Sequence, residues 1–108
     1  MKIDKFKNNG KLKLVIEGRI DTQTSPELEN VLKGVISDIS ELIFDFSKVS
    51  YISSAGLRVL LMAHKTMNEQ EKMSVVNVSD DILEIFELTG FTDILTIEPL
   101  SEHYEKKL

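Results

Sequence analysis

Val49-Ser50-Tyr51-Ile52-Ser53-Ser54-Ala55-Gly56-Leu57-Arg58-Val59 decides the fold when read with the run ahead of it, Leu42-Ile43-Phe44-Asp45-Phe46. The earlier run is apolar except at Asp45, the pattern of a strand in a sheet covered on two sides. A loop through Ser53 follows, and then a helix is expected from about Ser54 to Glu69, anchored by Leu57, Leu60 and Leu61. A serine at that junction can cap the first backbone amides of the helix. It also stands where a phosphate changes local charge most effectively.

Upstream, Lys11 to Ile20 alternates at Leu12, Leu14 and Ile16, which predicts a strand. Asn9-Gly10 ahead of it signals a tight hairpin, so residues 2–8 are expected to pair antiparallel with that strand. Asp21 to Pro26 reads as a polar loop. Thr24 or Ser25 caps a helix there, with Pro26 in its first turn and Glu27 and Glu29 favouring its positive end. Leu28, Val31, Leu32, Val35, Ile36 and Ile39 then make one apolar face. Downstream, Met73 to Val78 is a strand, and Ser79 or Asp80 caps a short helix that Gly90 stops. Ile94 to Ile97 is a last strand, and Pro99 to Leu108 is read as a terminal helix. The order predicts one α/β domain over residues 1–108, with right-handed helical crossovers after the opening hairpin.

Composition narrows the function classes. The chain has 108 residues, 42% hydrophobic and 29% charged, which suits one globular domain. It has no cysteine, which removes disulfides and thiolate metal sites and fits a cytoplasmic protein. Its longest apolar run, Val59 to Ala63, is far short of the roughly 20 residues of a membrane helix. Nor does Met1-Lys2-Ile3-Asp4-Lys5 open a signal peptide, so no membrane partner is expected. Net charge is −5, yet the first thirteen residues hold five lysines against one aspartate. The rest is acidic, opposite to a nucleic-acid binder, and those lysines suit an edge strand guarded against further pairing.

A catalytic role for Ser54 finds little support. A serine hydrolase elbow needs glycine on both sides of the nucleophile, and Ile52 occupies the upstream place. His64, ten residues along the same helix, is roughly 15 Å away at about 1.5 Å per residue. Sequence alone leaves the distance to His103 open. There is no Gly-rich phosphate loop, and Asp80-Asp81 suits a helix N-terminus rather than a metal. Met62, Met67 and Met73 read as core fillers. No enzyme activity, cofactor or metal is expected.

From Phe46 to Val59 the chain resembles the phosphorylatable loop and helix of anti-sigma factor antagonists, small bacterial proteins of the STAS domain family. Glu17-Gly18-Arg19-Ile20-Asp21-Thr22 is similar to that family's strand end before its first helix, so the likeness spans nearly the whole chain. The resemblance implies a mixed sheet with an N-terminal antiparallel hairpin and helices mainly on one face. It places Ser54, two residues before Gly56, on the phosphorylated serine. The partner-facing surface it implies comprises Asp21, Thr22, Ser53, Ser54, Ala55, Gly56, Leu57 and Arg58. It further implies an anti-sigma factor with serine kinase activity as partner and a serine phosphatase that resets the switch. The unmodified protein would bind the anti-sigma factor and free the sigma factor.

Three residue readings and one alternative function stay open beside it. The family often has aspartate before its serine, whereas this chain has Ser53, a second acceptor beside the favoured Ser54. Arg58, one turn beyond Ser54, is either a solvated charge or a contact for a phosphate. Asp21 is either a partner contact or a turn former. The alternative function is a STAS adaptor that ignores phosphorylation, in a stress-sensing assembly or a lipid transporter.

Overall fold

A computed structural model describes residues 1–67 and 72–100. The chain opens with a hairpin, β1 (Lys2–Asn8) and β2 (Lys11–Ile20), joined in register from Lys2 opposite Glu17 to Asn8 opposite Lys11. Asn9 and Gly10 turn it with φ of 51° and 81°, the positive pair that matches strand twist. Then come α1 (Ser25–Val35), a 3₁₀ turn (Ile36–Asp38), β3 (Glu41–Ile52), α2 (Ser54–Thr66) and β4 (Lys72–Val78). Helix α3 (Asp80–Thr89), a second 3₁₀ turn (Phe91–Asp93) and β5 (Thr96–Pro99) complete the order.

The sheet runs β1-β2-β3-β4-β5, antiparallel only at its first pair. Each crossover therefore steps to the next strand in the same direction. Right-handed crossovers that all step one way put their helices on one face. Burial agrees with that layering. Leu12, Leu14 and Ile16 of β2, Leu42, Phe44 and Phe46 of β3, and Val75 of β4 are fully buried. Leu28 and Leu32 of α1, Leu60 and Ala63 of α2, and Phe86 of α3 are buried with them. Phe86 lies 6.1 Å from Phe46, ring centre to ring centre.

The expectation of a sheet covered on two sides is corrected by this arrangement. Ile43 is only half-buried, as expected on the face that crossovers all stepping one way leave without helices. Asp45, on the same face, sits 3.6 Å from Lys13 and accepts the Ser47 amide at 2.9 Å. The run Leu42–Phe46 is apolar because its strand is central, not because both faces carry helices.

Other boundaries shift too. The expected loop after Phe46 is strand as far as Ile52, because β3 stays paired with β2 through two register shifts up to Ile20 opposite Ile52. Helix α2 ends at Thr66, three residues before the expected Glu69, which itself lies outside the described residues. The last strand is Thr96–Pro99 rather than Ile94–Ile97, since a 3₁₀ turn holds the chain through Asp93 and Ile94 remains helical in backbone. The expected terminal helix over residues 99–108 loses Pro99 to β5, and residues 101–108 lie outside the described residues. β1 is an edge strand with Lys2, Lys5 and Lys7 exposed.

Candidate functional site

The junction of β3 and α2 is built from two backbone bonds. The Ser53 amide donates to the Ile20 carbonyl at 2.8 Å, closing the ladder with β2. The Leu57 amide then donates to the Ser53 carbonyl at 2.9 Å, the first bond of the helix. Ser53, with extended backbone, is thus the residue that starts α2, and Ser54 is its first helical residue. The expected cap by Ser54 is therefore displaced by one position, and Ser53 makes no side-chain cap bond either. The Ser53 hydroxyl is covered and has no hydrogen-bond partner among the described residues, whereas Ser54 is exposed. The two serines differ in access.

Gly56 sets how deeply this helix end seats. A methyl group there would lie 2.7 Å from Ile20 Cγ2 and from Ile52 Cγ1, and 3.1 Å from the Ile20 carbonyl oxygen. The absence of a side chain lets the first turn of α2 rest on the ends of β2 and β3. Leu57, Val59 and Leu60 are buried beneath it, while Leu61 is only half-buried, so Val59 takes the anchoring place expected of Leu61. Ser54 and Arg58 remain exposed one turn apart.

The neighbouring β2–α1 loop is organised by Asp21. Its Oδ1 accepts the amides of Gln23 at 3.0 Å and Thr24 at 3.1 Å. The Thr24 hydroxyl accepts the Asp21 amide at 2.9 Å and donates to the Arg19 carbonyl at 2.8 Å. Thr24 stands at the start of α1 as expected, but it braces the loop instead of capping the helix. The Thr24 amide holds the Asp21 carboxyl below the usual carboxylate range. Partial desolvation pulls it the other way, and the Gln23 amide adds to the lowering. The turn-forming reading of Asp21 is thus visible in its bonds. Thr22, beside it, is exposed.

Between α1 and α2 lies a groove of about 360 Å³, with Pro26, Val59 and Met62 as its apolar lining and Ala55 and Arg58 reaching it from the Ser54 end. Met62 is thus half-buried on a groove wall, unlike the buried Met67 and Met73. His64 lies in the last turn of α2, far along the helix from Ser54. His103 lies outside the described residues.

Two tip residues were not singled out from the sequence. The Arg19 guanidinium stacks over the Tyr51 ring at 4.4 Å from its centre, and its Nε is 3.5 Å from Asp21 Oδ2. They sit opposite each other in the ladder, one rung before Ile20 and Ile52. The missing signal was strand length and register. Even with Tyr51 known to be strand, the two register shifts are needed to bring it, rather than Val49, across from Arg19.

Comparison with known proteins matches this geometry to a family. The STAS domain family model covers residues 2–105. A protein of Staphylococcus aureus named anti-sigma-B factor antagonist is 34% identical over 89 residues, covering 81% of this chain and 82% of that one. Among solved structures, an anti-sigma factor antagonist from Mycobacterium paratuberculosis superposes with a TM-score of 0.85 at 22% identity, over 98% of this chain and 92% of that one. The unphosphorylated form of the antagonist SpoIIAA superposes at 0.73 and 12% identity, over 98% and 96% of the two chains. Its phosphorylated form, from Bacillus, gives 0.71 and 13% over 99% and 100%. The chain therefore belongs to the STAS domain family, and the named relatives it resembles are anti-sigma factor antagonists.

Proposed function

We propose that this protein is an anti-sigma factor antagonist whose affinity for its anti-sigma factor is set by phosphorylation of Ser54. The observation that carries the reading is the contrast in access at the helix start: Ser54 is exposed and Ser53 Oγ is covered. The partner is an anti-sigma factor that is also a serine kinase. It binds the unmodified protein over Asp21, Thr22, Ser53, Ser54, Ala55 and Arg58, with Gly56 and Leu57, also expected on that surface, buried behind them, and so releases its sigma factor. ATP-dependent phosphorylation of Ser54 ends that complex, and a serine phosphatase restores it. The protein is substrate and ligand in this cycle, not catalyst.

Magnitudes say where the switch acts. Phosphate adds about −1.5 to −2 charges at neutral pH. At a helix N-terminus that charge is favoured by only about 0.3–1 kcal/mol, too little to change the fold. A partner covering the same tip must strip water from the dianion, at a cost of several kcal/mol unless it is paired. Each 1.4 kcal/mol is about tenfold in affinity, so the effect falls on the complex. The unphosphorylated and phosphorylated SpoIIAA structures both share this chain's fold.

The reading is tested by incubating the protein with the anti-sigma factor of its own organism and labelled ATP, then mapping the label. Label on Ser54 in the wild type and in Ser53→Ala, and none in Ser54→Ala, is the expected pattern. Stoichiometric label on Ser53, or none anywhere, contradicts it. Stable retention by membrane transport proteins, unaffected by Ser54→Asp, is what the adaptor reading expects instead.

A further inference from the structure

An interface of ordinary size needs about 800 Å² from each partner, more than one helix end supplies. Any protein that covers Ser54 must therefore spread onto adjoining surface. On the helix-free side of the strand ends, the adjoining residues are Arg19 and Tyr51. Their strand partners in the next rung are Ile20 and Ile52, and the Ser53 amide is bonded to Ile20 itself. The pair is thus built into the same rigid rungs that hold the phosphorylatable serine.

Its chemistry is that of a recognition element. Tyr51 is 38% exposed, one of few large apolar side chains left open among the described residues. The Arg19 side chain is 60% exposed, yet it is held from two directions, by the Tyr51 ring and by Asp21. Asp21 meets only the Nε, at a long 3.5 Å, and its other oxygen is occupied by the Gln23 and Thr24 amides. The outer edge of the guanidinium is left for a bidentate acceptor, the geometry that suits a carboxylate. Fixing the side chain before binding removes much of the ordering cost that an exposed arginine otherwise carries. Tyrosine and arginine are also the residue types that dominate binding energy at protein interfaces.

We propose that the stacked Arg19–Tyr51 pair is a second anchor for the anti-sigma factor, receiving an Asp or Glu side chain on Arg19 and an apolar side chain on Tyr51. This inference rests on the functional reading above. It separates the contact surface into a switched part at Ser54 and an unswitched part on the opposite side of the strand ends.

The test is a titration of the purified anti-sigma factor with wild type, Ser54→Asp, Tyr51→Ala, Tyr51→Phe, Arg19→Ala and Arg19→Lys. Thermal unfolding of each variant runs in parallel. Tyr51→Ala and Arg19→Ala are expected to weaken binding at least tenfold while each variant stays folded at the titration temperature. Tyr51→Phe should bind as the wild type does, and Arg19→Lys should lose most of what Arg19→Ala loses. If the wild type binds and Ser54→Asp does not, while Tyr51→Ala and Arg19→Ala bind fully, the anchor is overturned and the switch survives. If Ser54→Asp binds like the wild type while the anchor variants fail, the switch is overturned and the anchor stands. A wild type that does not bind overturns both.

Discussion

At Gly56, any side chain meets the core before it meets solvent. An alanine methyl would press on Ile20 and Ile52, which are 0% and 2% exposed and cannot move aside cheaply. Overpacking of that kind costs about 1–3 kcal/mol, against a gain of up to about 1 kcal/mol in helix propensity. Gly56→Ala should therefore lose up to about 3 kcal/mol in urea unfolding; greater stability than the wild type would contradict the close seating of α2. The serines make a paired prediction. Ser79 starts α3 and accepts the Ile82 amide at 3.4 Å, whereas Ser53 starts α2 with no such bond. Ser79→Ala should cost about 0.5–2 kcal/mol. Ser53→Ala removes a covered hydroxyl without a partner and should be neutral or slightly stabilising, by the same unfolding measurement.

The elements differ in how well the sequence announced them. Hairpin β1–β2 was legible because Asn9-Gly10 fixes the turn and Leu12, Leu14 and Ile16 fix the face, both local signals. Helices α1 and α3 were legible from Pro26, Asp80 and Gly90, which act within one turn of the chain. The second half of β3 was not. Ser47, Lys48, Ser50 and Tyr51 look like a loop, and only pairing with β2, some thirty residues away in sequence, keeps them extended. That long-range contact also hid the Arg19–Tyr51 pair, while the Ser54–Gly56 spacing at the start of α2 is a local signal.

Asp45 illustrates the same non-local control within β3. Burial pushes its carboxyl upward, but hydrogen bonds from Ser47 and Asn77 and the charge of Lys13 outweigh this and hold it below the ordinary value of 3.8. A carboxylate depressed in the folded state contributes stability above its unfolded pKa and loses it as pH falls through the folded one. Asp45→Asn should thus be less stable than the wild type at neutral pH. The gap should narrow below about pH 4, read by thermal unfolding across pH. A gap that widens on acidification would show that the carboxylate is not favoured in the fold.

For the whole molecule, one layer of helices on one sheet face gathers the β2–α1 loop and the start of α2 at the carboxyl ends of the parallel strands. The same topology leaves the other face free of described helices. The tip is rigid where it must be, with Asp21, Thr24, Ser53 and Gly56 tied to backbone or packed against core. It is open at Ser54 and Arg58. No helix among the described residues is long and apolar enough to cross a membrane. On the proposed reading, such a scaffold accepts a charge at its tip without unfolding, and only a protein seated on that tip feels the difference.

The direct measurement is calorimetric binding of the anti-sigma factor to unmodified and to Ser54-phosphorylated protein, with the unfolding temperature of each form taken alongside. We predict at least a hundredfold loss of affinity on phosphorylation, about 2.7 kcal/mol, with unfolding temperatures within about 2–3 °C of each other. Equal affinity for the two forms, or a loss of affinity matched by a collapse in unfolding temperature, would contradict a switch that acts at the interface.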